Sequence, residues 1–498
     1  MPEPALASDR LGVPSVVFFV ISAATPLTVV AGVVTTGYAT TGLTGLPLAY
    51  LVVGAVLALF SVGYVAMARD VANAGAFYAY IARGLGRPLG VGSAWVALAA
   101  YNALQVGLYG AIGAAAKPLL SDWFGLDVAW WVIALVSWAA VAVLGLQDIG
   151  LNGRVVAVLL AAEIAVILIY SIADVAHPAG GAVSLTTLAA GNLFGPGLGA
   201  LLALAVLGFV GFESCVVYSE EARDRHRTVR VATYTAVALI ALLYTFASWA
   251  MSVATGPARI VGRSRAEGAD LVFHLAAGHL GTGFVHAGRA LFVTSVLAAM
   301  IAFHHTTARY VFALGRERIL PASAGSTSPR TGSPRVGSLA QTVLGLAVIL
   351  VYAAGGWDPL VHLFYWGGTI GGLGILLLLA ATALAVVAHF AREPGEHGLG
   401  RRVLAPVPAA LLLLGVLALA LANFDTLLGV SPSSPLRWGA PLTYAVLLAA
   451  GTGWGLLLRR RRPRVYEAVG RGGVPHPGTA PPQAPPGQSA ARDEEAPR

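Results

Sequence analysis

The sequence predicts an all-α integral membrane protein of twelve transmembrane helices with a ligand site inside the membrane. Three observations carry that prediction. Of 498 residues, 57% are hydrophobic and 11% charged, about half the charged share of an ordinary soluble protein; mean hydropathy is +0.76. The apolar residues fall in blocks of about 20, each long enough to cross ~30 Å of hydrocarbon as a helix. No ten-residue segments alternate with period two, which argues against a β-barrel. The third observation is the stretch Gly208–Arg230, which begins inside an apolar block yet carries Gly208, Gly211 and Glu213. A carboxylate in hydrocarbon is costly and marks function. Glycines beside it expose backbone, which is tolerated only where that backbone lines a protein cavity.

Taken in order, the first six helices are expected near 13–38, 47–68, 90–116, 129–146, 151–173 and 198–218. The remaining six fall near 232–255, 282–304, 336–354, 360–390, 403–422 and 440–458. This divides the chain into an N-terminal tail (1–12), a transmembrane transporter domain (13–458) and a C-terminal tail (459–498). Ser22-Ala23-Ala24 has the look of a cleavage site, but the apolar run continues through Gly37, so a retained first helix is expected. Arginines concentrate in alternate loops, with Arg259, Arg263 and Arg265 as the exception. That bias puts both termini in the cytoplasm of a multi-pass protein of the cell membrane. The tail beyond Arg464 is rich in proline and polar residues and is expected to be disordered. Its Arg459–Arg462 run anchors the last helix at anionic headgroups or has a regulatory role.

The net charge of +8 follows the flanks of the apolar blocks and forms no stripe, so no nucleic-acid partner is expected. The single cysteine, Cys215, excludes an internal disulfide. Neither a metal nor a cofactor is expected. His304-His305 has no spaced carboxylate and reads as a solvated helix end at the cytoplasmic face. Gly195-Pro-Gly-Leu-Gly199 mimics a phosphate loop but follows no strand. The charged 220–230 loop is expected to form salt bridges within itself, and Arg69, Arg83, Arg309 and Arg316 to act as topology anchors.

Two of the helices should be interrupted. Pro26 lacks an N–H and clashes one turn back, so the first helix must open or kink near Ser22–Pro26. Gly211 interrupts the sixth. Each lies 13 positions into its helix, and each helix opens a five-helix half, 1–5 or 6–10. Helix parity gives the halves opposite orientations, and corresponding breaks in inverted halves point to a transporter site at their interface. Half-helix N-termini suit a carboxylate; unwound carbonyls, with Glu213 nearby, suit an ammonium. A site with both suits an amino acid.

At this point the chain resembles the amino acid–polyamine–organocation permeases. The resemblance lies in Gly208-Phe-Val-Gly-Phe-Glu-Ser with Glu220–Thr228 after it, in Arg69–Tyr80, and in Arg309–Pro321, and it covers roughly 13–390. It implies a five-plus-five inverted repeat (LeuT-like), broken helices 1 and 6 around the substrate, and proton symport or exchange of amino acids or related amines. Carried over by position, the resemblance implies substrate contacts at Ala24, Thr25, Pro26 and Leu27, and at Gly208, Phe209, Val210 and Gly211. Phe209 and Phe212 are candidate gates or packing aromatics. Tyr101, Asn102 and Gln105 offer polar groups to the site or hold helices together. Family members commonly carry a lysine in mid-helix 5 where this chain has Glu163, which either binds a proton, coordinates a cation, or is a carboxyl held neutral by a neighbour. The coupling proton is therefore expected on Glu163 or Glu213. Leu207 stands where arginine/agmatine exchangers place a tryptophan gate, which weighs against that activity.

The expected partners are an amino acid or small amine and the lipid bilayer, with the chain a monomer or homodimer. A polyamine or organic-cation exchanger of the same fold is the alternative. A membrane enzyme would need converging His, Asp, Cys or metal ligands, and a channel a polar stripe or symmetric filter; the sequence displays neither.

Overall fold

A computed structural model describes residues 11–472 other than 72–74, 148, 394 and 396–397; the side chains of residues 70 and 149–156 are also excluded. The leader before Leu11, part of the Arg69–Tyr80 stretch, the Arg154 side chain and the tail beyond Gly472 therefore lie outside the described residues. Within them the architecture is helical, with only two isolated bridges, Leu11 to Ala222 and Thr327 to Pro334.

The N-terminal part comprises α1 (Val13–Thr41), α2 (Leu46–Asp70), the short α3 (Phe77–Gly84), α4 (Arg87–Phe124), α5 (Trp130–Leu144) and α6 (Ile149–Ala176). Then come α7 (Leu198–Phe209), α8 (Arg225–Thr255), the short α9 (Ile260–Glu267) and α10 (Leu271–Leu280), α11 (Thr282–Arg316) and α12 (Arg335–Gly355). The chain ends with α13 (Trp366–Arg392), α14 (Pro406–Ala422), α15 (Gly439–Arg461) and α16 (Pro463–Ala468). Proline opens α2, α4 and α14, where its missing N–H has no helical partner to lose. Gly42 and Gly125 close α1 and α4 in the left-handed conformation.

Among the described residues, eleven helices are long and apolar enough to cross a membrane. The twelfth expected span, α5, has 15 residues, or about 22 Å of rise against ~30 Å of hydrocarbon. Lipid-facing positions are legible in Val136, Leu242, Val343, Leu411 and Val446, all strongly exposed apolar side chains. The helix α4 runs through the middle, packed by α3, α5, α11, α13 and α15. Its crossing with α15 is a glycine contact: a Cβ on Gly451 would stand 2.7 Å from Gly92 Cα. Small residues of this kind let membrane helices approach closely. The first half of α1 is held between α6, α8 and α11.

Both described chain ends lie at one end of the bundle, here called the terminal face. Leu11 exchanges two backbone hydrogen bonds with the segment after α7, its N–H to Glu221 and its carbonyl from Arg223. On α11, Arg309 donates to both Glu221 carboxylate oxygens at 2.6 and 2.9 Å, with the pair 1% and 2% exposed. About two turns further, Arg316 holds Glu220 in the same bidentate way. Glu317 accepts backbone N–H bonds from Gly470 and Gly472, each at 2.8 Å.

These contacts and the helix ends correct four expectations. Glu220 and Glu221 bond outward to α11 instead of within their own loop, and Arg309 is a buried structural partner beyond any role in topology. His304 and His305 are buried in mid-helix, because α11 continues three turns past the apolar run, its polar groups being satisfied by partners such as Ser338 for His304. The proximal tail is ordered: α15 extends through Arg461, and α16 docks with Ala468 and Val469 buried. Arginine is a good helix former, and the two glycines supply the amides that Glu317 needs.

Candidate functional site

Helical hydrogen bonding in α1 stops between Ala23 and Pro26. Thr25 is left-handed at φ 44°, ψ 65°, a conformation that costs an L-residue about 1–2 kcal/mol. The Thr25 N–H bonds back to the Ser22 carbonyl, and the Ala24 carbonyl accepts the Tyr244 hydroxyl at 2.8 Å. Helix α7 stops at Phe209. Val210 is extended, Gly211 sits at φ 118°, and a 3-10 turn carries Phe212–Val216.

Several of the backbone groups freed here find partners within the protein, as irregular backbone in a membrane interior requires. The Gly211 N–H donates to one Glu213 carboxylate oxygen at 2.9 Å, and Tyr101 donates to the other at 3.0 Å. Tyr64 donates to the Glu213 carbonyl and Ser214 to the Gly211 carbonyl. Glu213 is thus fully buried and spent on fixing the α7 interruption to α4. The two interruptions also touch each other. A Cβ on Gly211 would stand 2.7 Å from Ala23 Cβ and 3.0 Å from the Ala24 nitrogen, so glycine is required both by conformation and by space.

A cavity of about 440 Å³ opens against this junction. Ala23, Ala24, Thr25, Thr28 and Val210 line its deep end, while exposed Thr40, Arg265 and Gly429 line it where it reaches the surface opposite the terminal face. On α9 at that mouth, Arg263 chelates Glu267; together with His274 it holds the Glu267 carboxyl below the usual carboxylate range.

Of the residues singled out from sequence, Ala24, Thr25 and Val210 line the cavity. Pro26, Leu27, Gly208, Gly211 and Tyr101 lie buried behind the wall. Phe209 packs against Tyr50 and Tyr244, and Phe212 against Phe60. Asn102 accepts from Gln341 of α12 at 2.8 Å, a bond between helices. Gln105 is 1% exposed and outside the cavity lining. Glu163 does not line the cavity either; its carboxyl lies near the Leu27 N–H and Ser295 of α11, and its Oε2 has no hydrogen-bond partner among the described residues. Ser295 accepts from Thr28, a lining residue, at 3.3 Å. Glu163 thus lies close to the cavity wall without facing the cavity.

The chain matches the amino acid permease family over residues 11–451, nearly its whole described length. It belongs to that family. Its members are transporters, not enzymes, and the eleven apolar helices agree with a multi-pass membrane protein. No curated protein matches the permease closely enough to add to that assignment. Sequence reasoning missed most of the cavity wall, namely Leu104, Leu108, Leu204, Phe303 and Phe364. Leucine and phenylalanine in an apolar helix look alike whether they face a cavity or lipid.

Proposed function

We propose that this permease is a secondary active transporter for an amino acid or related small amine, working by proton symport or exchange from a mid-membrane site. The observation that carries the reading is the contact between the two interrupted helices at the deep end of a cavity. Interrupted helices leave main-chain N–H and carbonyl groups beside one another, the combination an α-carboxylate and an α-ammonium need. In this reading α1–α2 and α4–α6 form one half of a five-plus-five inverted repeat, and α7–α8 and α11–α13 the other. The terminal face is cytoplasmic and the cavity faces the opposite side of the cell membrane. Glu163, buried beside the first interruption with one carboxylate oxygen unpartnered among the described residues, is the coupling carboxyl favoured here; Glu213 is already committed to Tyr101 and Gly211.

Uptake of labelled amino acids into proteoliposomes tests this. Gly211→Leu should abolish uptake while the protein still inserts; undiminished uptake would sink the site assignment. Glu163→Gln should flatten the pH dependence of uptake while substrate binding persists. An unchanged pH profile removes Glu163 from coupling.

A further inference from the structure

The cavity wall bears on what the substrate's side chain is. All 28 lining residues among those described include no Asp, Glu, Lys or His, and one charged side chain, Arg265, at the mouth. Arg265 is exposed and donates to the Ala39 carbonyl at 2.8 Å. Glu213 is behind the wall and bonded to Tyr101 and the Gly211 N–H, and Glu163 is buried outside the lining. Deeper than the exposed Arg265 at the mouth, a second ammonium or a side-chain carboxylate would lose its hydration and meet no opposite charge. Desolvating an ion without a partner is strongly unfavourable.

Beyond the interruptions, the wall next to α13 includes Leu104 and Leu108 on α4, Leu204 and Leu207 on α7, and Phe303 on α11, while hydroxyls such as Thr36, Thr40 and Ser264 line it elsewhere. Opposite Leu207 lies Gly368 of α13, at an ordinary helical position. A Cβ added there would meet nothing nearer than Leu207 Cδ2 at 3.9 Å, so the space over Gly368 belongs to the cavity. Gly107 of α4 packs on the same stretch of α13, its added Cβ 3.5 Å from Gly368 N.

We infer that the substrate is an amino acid with an uncharged, apolar side chain, seated against Leu104, Leu108, Leu204, Leu207 and Phe303, and that Gly368 sets how large that side chain can be. The inference rests on the cavity being the transport site. It places the α-amino and α-carboxyl groups at the interruptions and the side chain toward α4 and α13. Charged amino acids and polyamines are excluded by desolvation, and large apolar side chains are admitted by the absence of a Cβ at 368.

The test is equilibrium binding and counterflow with the full chain, using leucine, methionine, phenylalanine, alanine, lysine, glutamate and putrescine. Leucine, methionine or phenylalanine should bind at least about tenfold more tightly than lysine, glutamate or putrescine. Gly368→Val, at a position that accommodates a Cβ, should weaken leucine and phenylalanine by about 10–100-fold and leave alanine within a few-fold. Tightest binding of lysine, glutamate or putrescine overturns the inference while leaving the transporter reading intact. Equal loss of leucine and alanine in Gly368→Val overturns the placement of the side chain. No binding of any of these compounds by the wild type overturns both.

Discussion

The two ends of the bundle are closed by different chemistry. At the terminal face, Arg309–Glu221 is a bidentate ion pair withdrawn from water, capped by Tyr218, over whose ring the guanidinium lies 5.3 Å from the centroid. Phe19 stacks on the other side of that tyrosine at 5.4 Å. Arg316–Glu220 and the Glu317 clasp on the tail lie beside it. At the opposite end, α9 borders the cavity mouth with an exposed bond from Arg265 to the Ala39 carbonyl. Opening the terminal face therefore means breaking several desolvated polar contacts together, whereas the other end is already open. In the proposed transport cycle, exposing the site at the terminal face requires those contacts to break.

The largest test of this contrast is to break the buried pair. Arg309→Met leaves Glu221 buried without a counter-charge, which costs about 3–5 kcal/mol. Thermal unfolding of the purified variant should show a large loss of stability, or hydrogen exchange should show segment 218–223 opened to water. Arg309→Met with Glu221→Met should recover most of the loss, because two apolar side chains need no pairing. Wild-type stability and exchange in the single variant would mean that the terminal face is not held by this pair.

A smaller effect is expected from ending the chain after Arg462. Glu317 then loses the Gly470 and Gly472 amides, bonds to a charged acceptor that contribute about 1.5–3 kcal/mol each in favourable settings. Glu317 would gain water in exchange, so the net loss should be smaller than for Arg309→Met. Faster hydrogen exchange in 79–82, where Gly470 packs on Ala79 and Ala82, should report the lost tail. Unchanged exchange there would show the clasp to be incidental to closure.

The same contrast explains what could be read from sequence. Span positions were legible because twenty apolar residues in a row have a direct physical meaning. Pro26 and Gly211 were legible as disturbances because their backbone chemistry is local, and they sit where helical bonding stops. The terminal-face network was not. Glu221 and Arg309 are 88 positions apart, and a charge flanking an apolar run looks the same whether it anchors topology or is buried in a pair. His304 and His305 were misjudged for the related reason that the apolar run ends there although the helix does not. The cavity wall was hidden because helix register, not composition, decides which leucine faces inward. Tyr64 and Tyr244, which cap carbonyls at the interruptions, carry no sequence signal beyond a hydroxyl in mid-span.

The smallest effect should come from the open end. Arg265→Ala removes one exposed hydrogen bond to Ala39, and a neutral bond of this type contributes about 0.5–1.5 kcal/mol at most. Thermal stability should change little. The exposed guanidinium is nonetheless the only charged side chain among the described residues that line the cavity, so it contributes to the local potential at the mouth. At low ionic strength it attracts a carboxylate and repels an ammonium, and at about 0.15 M salt a Debye length near 8 Å confines that influence to the rim. For a zwitterionic substrate the two effects nearly cancel. Arg265→Ala should therefore leave the apparent KM for leucine within about twofold at any salt, as an exposed charge acting at a distance would. A large, salt-independent rise in KM would show that Arg265 binds substrate directly, and that the open end is a working gate in its own right.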